Sequence, residues 1–488
     1  MSDRKDSESP ATTSFAWDIM QPKWDRIETL LGGTEAMRQK GEQYLPRHNQ
    51  EELVSYNERL DSTTLFNMFE LTLDSLVGRP FSDPVKINDD VPQEIRDILK
   101  DVDFQGNDLS VFARKWFSDG VAKAFSHVLV DFPSIDDEER DIRTREDDLN
   151  DGLRPYFNLI SPENVIFASS EIVNSVEVLT HVRIFEQVTE MEGFAEVIKE
   201  RIRVLEPGSF ILYEKQKNKK KEEWVIIDEG ITDLPFIPLV TFYANEKEDL
   251  MIAKPPLEDL AHLNIRHWQS TSDQISVLTV ARFPMLAVAG ATDTTGSTMA
   301  IGPKQLLGTK DPNGRFYYVE HTGRAIEAGR QDLLDIEEMM SSYGAEFLKR
   351  RPGNATATAR ALDSAEATSP LQDMTVRFID ALNTAISYLG AWLNIEDAGT
   401  IEITTDFGPE RLNEAHVRAL LELRRNRDLS INQVLLELQR LGGLSDEFDV
   451  EENIKELLSE PSIQSPFATG NNVRKINETQ GRPPSDSE

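Results

Sequence analysis

Between Pro255 and Leu393 apolar residues recur at helical spacing over three stretches, each much longer than an ordinary globular helix. Leu257, Leu260, Leu263, Trp268, Ile275 and Leu278 mark the first. They predict a helix over residues 257–282, roughly 40 Å long at 1.5 Å per residue. A second helix is expected over residues 325–350. It ends in Lys349-Arg350-Arg351, cations that suit the negative end of a helix dipole, and Pro352-Gly353 then forbids continuation. A small-residue linker leads to a third helix, from about residue 360 to 393. Between the first two, residues 283–323 are punctuated by Gly290, Gly296, Gly302, Gly308, Gly314 and Gly323, the mark of a compact loop-and-strand excursion. Two long antiparallel helices around a small β-rich excursion, with a third helix returning to the body, is an architecture few chains can adopt.

The flanks are shorter-ranged. Residues 1–20 are rich in Ser, Asp and Thr and read as a disordered leader. From Trp24 a helix carries Ile27, Leu30 and Leu31 and ends at Gly32-Gly33. One longer helix is expected from about residue 49 to 77, on Leu53, Tyr56, Leu60, Leu65, Phe69, Leu73 and Leu76. Another carries Phe112, Trp116, Phe117 and Val121 into an apolar strand, Val128-Leu129-Val130. Residues 131–151, with Asp136, Asp137, Glu138, Glu139, Asp141, Glu146, Asp147 and Asp148 among few apolar residues, form an expected solvated loop. They lack the Asp-x-Asp-x-Asp-Gly spacing of a calcium loop. From Tyr156 to Tyr243 short β-branched runs predict an antiparallel sheet, with Lys215 to Lys221 at a hairpin tip. A short strand (residues 400–407), helices near 414–426, 431–441 and 450–460, and a disordered tail (461–488) complete an α+β fold, mainly α.

Charge narrows the function classes. The 488 residues carry 52 basic and 86 acidic side chains, a formal net charge of −34, and no cysteine. Disulfide scaffolds, thiolate metal sites and cysteine nucleophiles are excluded, and a protein that grips DNA phosphates tightly is disfavoured. Neither a secretory leader nor a bilayer span is expected: the start MSDRKDSESP is polar, and Arg282 and Pro284 interrupt the greasiest stretch. No catalytic or metal residues stand out. The run from Gly302 to Lys310 is one residue too long for a phosphate loop and places Thr309 before the lysine. His262 and His267, five apart, fall on different helix faces. Asn354-Ala-Thr356 is a formal glycosylation sequon, without meaning in the absence of a leader. No enzyme activity and no cofactor are expected. Two other readings remain beside a structural role: an acidic α+β scaffold or adaptor without a ring, outside viruses, and a hydrolase using paired carboxylates.

Four passages resemble the portal, or head-to-tail connector, proteins of tailed double-stranded DNA bacteriophages, and the likeness spans roughly residues 40–460. They are Tyr44-Leu-Pro-Arg47 with Tyr56-x-x-Arg59-Leu60 and Leu76-Val-Gly-Arg-Pro-Phe81; Val128-Leu-Val-Asp131-Phe-Pro133 with Pro155-Tyr156 and Ile160-Ser-Pro-Glu-Asn-Val165; Pro255 through Asn264, Trp268, Ser272 and Asp273; and residues 401–407 followed by Leu429-Ser-Ile-Asn432. The resemblance implies a wing (21–255), a stem helix (256–282), a clip (283–324), a second stem helix (325–350) and a tunnel loop (351–361). After these would come a long helix and wing strand (362–407) and a helical crown (408–460).

The same resemblance implies a homo-oligomeric ring, usually of twelve copies, at one capsid vertex of the virion, the chain being made in the host cytoplasm. Such a ring would form the channel for genome packaging and ejection. Capsid and scaffolding proteins, a packaging terminase, a tail adaptor and transient, non-specific double-stranded DNA would be its partners, with no membrane. Lys349, Arg350, Arg351, Asn354, Thr356 and Arg360 become candidates for the tunnel loop. Met285, Leu286, Leu306, Leu307, Phe316 and Tyr317 become candidates for the docking clip.

Overall fold

The computed structural model describes residues 9–133, 153–218, 221–282, 285–289, 313–319, 323–346, 369–405, 414–426, 428–440, 444 and 448–459. They belong to two units, Met1–Phe407 and Gly408–Glu488.

The first unit opens with α1 (Phe15–Leu31), so residues 15–20, expected in a loose leader, are already helical. Their polar residues are what a helix start uses. Ser14 caps the end by accepting from the Trp17 amide at 3.1 Å, Asp18 sits in the first turn, and Met20 is fully buried. Gly33, at φ +69°, turns the chain into α2 (Gly33–Lys40). The single helix expected over residues 49–77 is two, α3 (Leu53–Ser62) and α4 (Met68–Gly78). Thr63 leaves α3 in an extended conformation, and the Asn67 side chain caps α4 by accepting from the Glu70 amide at 3.2 Å. The break shows in the sequence as the five-residue step from Leu60 to Leu65, which interrupts a spacing of three and four.

Strand β1 (Lys86–Ile87), α5 (Gln93–Ile98) and α6 (Leu109–Lys123) follow, then β2 (Phe125–Asp131) and β3 (Tyr156–Ile160). Next comes an antiparallel meander of β4 (Val165–Val173), β5 (Val176–Glu192), β6 (Ala195–Glu206), β7 (Ser209–Asn218) and β8 (Lys221–Ile231), five strands in sequence order. Strand β9 (Leu239–Tyr243) returns to the other side of β2, giving a three-stranded sheet ordered β3-β2-β9. Strands β10 (Lys247–Asp249) and β11 (Ile252–Ala253) form a small pair before the long α7 (Glu258–Ala281). Then come β12 (Met285–Ala289), β13 (Arg315–Val319), α8 (Arg324–Glu346) and α9 (Pro370–Leu393). The last helix starts at Pro370, not near residue 360: Ser369 caps it, accepting from the Gln372 amide at 3.2 Å. Within the expected strand at residues 400–407, only β14 (Ile401–Glu402) is formed, paired with β1.

The core is aromatic where α6, β9 and α9 converge. Phe378 of α9 lies 4.9 Å from Phe242, 5.1 Å from Trp116, 5.2 Å from Phe117 and 6.1 Å from Phe81, centroid to centroid. Gly120 admits this packing, since a Cβ there would stand 2.4 Å from the Phe242 ring. A second cluster, with Trp24, Phe125, Leu129, Val182, Ile184 and Leu205, fills the space between α1 and the five-stranded sheet.

The second unit shows α10 (Glu414–Arg425), α11 (Ile431–Arg440) and α12 (Val450–Ser459), each in contact with the next. The acidic stretch 134–152, residues 302–310 and the tail 461–488 lie outside the described residues.

Candidate functional site

The inner turns of the α7–α8 pair belong to the main core, whereas its outer turns supply no buried side chain among the described residues. The inner half of α7 is embedded: Leu257, Leu260, Ala261, Asn264, Trp268 and Ser272 are all buried, one per helical turn. Buried Asn264 ties the helix to α4 by two bonds, accepting from the Phe69 amide at 2.9 Å and donating to the Phe66 carbonyl at 2.9 Å. In α8 only the inner part supplies buried residues, Ile336 and Met340. From Asp273 outward the described side chains of α7 are half-buried or exposed, and so are those of residues 324–335 in α8.

Side-chain ties fix the antiparallel register along the pair. Gln274 donates to the Ile326 carbonyl (2.9 Å), Arg266 meets Asp332 (3.0 Å), His267 meets Glu337 (3.3 Å) and Tyr343 donates to the Pro256 carbonyl (3.3 Å). Gly329 lets the helices close, since a Cβ there would stand 2.1 Å from the Gln274 amide oxygen. Leu334 and Met339 remain 43% exposed. Six carboxylates against two arginines make α8 acidic.

At the outer end β12 and β13 pair antiparallel, Met285 opposite Val319 and Ala289 opposite Arg315. Of the expected docking residues, Met285 and Leu286 stand in β12, and Phe316 and Tyr317 in β13. The register sets Leu286 opposite Tyr318, Phe316 opposite Val288, and Tyr317, which is exposed, opposite Ala287. Leu306 and Leu307, and every expected tunnel residue (Lys349, Arg350, Arg351, Asn354, Thr356 and Arg360), lie outside the described residues.

The structure assigns a mechanical role to residues that sequence reasoning had quoted without one. Arg59 is buried against α7 and makes a two-pronged bond to Glu51 (2.8 Å on each oxygen), while also donating to Ser272 Oγ (3.2 Å) and the Pro46 carbonyl (3.0 Å). Gln269 of α7 donates to the Tyr44 carbonyl at 2.9 Å, so residues 44–51 and α3 together bracket the base of the helix. Its neighbours one turn away, Ser55, Tyr56, Ser62 and Thr63, give no local cue to this role.

Arg59 holds the Glu51 carboxyl down at about 2, below its usual 4.5. A depressed carboxyl stabilises the fold above pH 4.5, and that contribution is lost as pH falls towards 2. Relative to Glu51→Gln, the wild type should therefore lose up to about 1.4 kcal/mol per pH unit across this window. Urea midpoints compared at successive pH values check this. Curves that stay parallel would remove the bracket.

Lys123 anchors a second passage. Its ammonium lies 2.6 Å from Glu28, 2.8 Å from Glu163, 3.0 Å from Asp119 and 2.7 Å from Ser161 Oγ. His127 is buried too, and its basicity falls to about 3 because burial penalises the charged ring. Among the described residues no group of His, Asp and Glu could hold a metal ion, and no helix is long and apolar enough to cross a membrane.

Residues 256–393 match the model of a family described as a domain of unknown function (DUF4055), a stretch that takes in α7, the ribbon, α8 and α9. No curated protein matches the chain. Solved structures similar to it include the neck of an empty gene transfer agent particle computed with C6 symmetry (11% identity, 81% of this chain and 90% of that one, TM-score 0.37). The virion of a native gene transfer agent particle is similar at 12% identity, with the same coverage and a TM-score of 0.36. So is the neck of the native particle computed with C12 symmetry, at 10% identity, again with that coverage, and a TM-score of 0.37.

Proposed function

We propose that this chain is the subunit of a portal ring, closed by identical copies at one vertex of a phage-like capsid and enclosing a channel for double-stranded DNA. The observation that carries the reading is the paired α7–α8 arm, gripped at its base, ribboned at its tip and left with half-exposed apolar side chains along its length. Neighbouring copies packed side by side would cover Leu334 and Met339. Such contacts are head-to-tail, and a ring is their closed form. In this reading α7 and α8 are the stem and β12–β13 the clip, where a packaging terminase and later a tail adaptor would dock.

The charge fits the task. A wall of carboxylates repels a sliding polyanion and avoids the multiple phosphate contacts that make tight, salt-sensitive complexes. Lys349, Arg350, Arg351 and Arg360 would then offer transient contacts to passing phosphates.

The expected result for the purified protein is an annulus in negative stain, with a mass near twelve times 55.2 kDa or a neighbouring multiple. An acidic scaffold without a ring predicts a monomer or dimer. A monomer persisting from low to high salt overturns the proposal.

A further inference from the structure

A cavity of about 370 Å³ lies where the two larger sheets meet the end of α9. Its apolar lining includes Leu129, Phe210 and Trp392, whose ring stacks on Phe132 at 5.6 Å. Three carboxylates line it, Asp131, Glu206 and Asp228, against one cation, Arg203. That arginine is already committed, at 3.1 Å to Asp131 and 2.7 Å to Glu186. An apolar, aromatic pocket with surplus negative charge selects an ammonium or guanidinium carried on a short aliphatic stem.

This chain contains a matching group. Lys215, Lys217, Lys219, Lys220 and Lys221 fall within seven residues at the β7–β8 tip, the densest cationic run in an otherwise acidic sequence. Lys215 is held by Glu200 at 2.8 Å and Glu222 at 3.1 Å, whereas Lys217 is exposed. A copy cannot fill its own cavity. In the β7–β8 register Asp228 stands opposite Leu212 and Lys217 opposite Glu222, which puts the two levels about 17 Å apart along the same hairpin at about 3.4 Å per residue.

Resting on the ring reading above, we propose that the cavity of one copy receives the exposed Lys217 of β7 from the next. The contact joins two different patches, so it is head-to-tail and propagates around a ring. It also places attraction where highly acidic neighbours would otherwise repel.

The absence of cysteine makes the test clean. In the double variant Lys217→Cys/Asp228→Cys, a bismaleimide spanning less than half the separation within one hairpin can link only different copies. The expected result is a ladder of covalent multimers in assembled protein, with each single variant stopping at dimers. Rings whose double variant goes no further than the single ones overturn the contact and leave the ring reading standing. Failure of the wild type to form rings overturns both. If the double variant alone fails to assemble, charge exchange decides: Asp228→Lys should lose rings and added Lys217→Asp should restore them, and no restoration overturns the proposal.

Discussion

Phe378→Ala is expected to lower the unfolding free energy of the first unit by about 3–5 kcal/mol, the range for truncating a large buried aromatic ring. Phe378 has no exposure, and four rings from other parts of the chain surround it within 6.1 Å. All four contacts hold the rings at near-perpendicular angles of 70° to 75°, an arrangement that adds to the energy of simple burial. Collapse cannot heal the gap. Phe117 and Phe242 are stacked on each other at 5.5 Å, and the Gly120 backbone already holds Phe242 in place. Phe378→Leu keeps most of the volume and should cost clearly less. Guanidinium midpoints of the two variants make the measurement. An alanine variant within about 1 kcal/mol of the wild type would show that this cluster is not the hub of the core.

Lys123→Met should be comparably severe, at about 3–5 kcal/mol, because deleting one partner of a buried ion cluster strands the others. Glu28, Asp119 and Glu163 would be left facing one another around an apolar side chain. The cluster is already short of positive charge. Burial pushes the Asp119 carboxyl up to about 6, with Lys123 opposing the rise and Glu163 and Glu28 adding to it. A raised carboxyl favours the fold below its ordinary value of 3.8, and that contribution disappears as pH climbs through about 6. Removing Lys123 strengthens the bias, so the deficit of Lys123→Met should shrink as pH falls from 7 to about 5. Adding Asp119→Asn should recover part of the loss at neutral pH. A deficit independent of pH would mean that the lysine's aliphatic stem, rather than its charge, is what the site requires.

What the sequence disclosed was short-ranged. The stripe from Leu257 through Trp268 shows on a helical wheel because every member answers to one buried face. The turns at Gly33 and the lysine-rich hairpin tip announce themselves by residue type. The break between α3 and α4 falls in the five-residue step from Leu60 to Leu65, a spacing that leaves one helix face, and Asn67 marks the new start. The leader was misread on composition, although Ser14 and Asp18 are ordinary helix-opening residues. Arg59 and Ser272, 213 positions apart, meet through tertiary geometry that no local pattern encodes. The same holds for the three segments that converge on Lys123. As for the candidate site, the helix pair and its ribbon were legible from periodicity and glycine spacing, whereas the bracket around α7 required coordinates.

The bracket has a mechanical consequence. Arg59 reaches α7 through Ser272, and Gln269 and Asn264 of α7 tie it to residues 44, 66 and 69, all within about its first four turns; among the described residues the turns beyond Asp273 are tied only within the helix pair. A sideways load on the outer turns would therefore be felt as torque at the Arg59–Glu51 clamp.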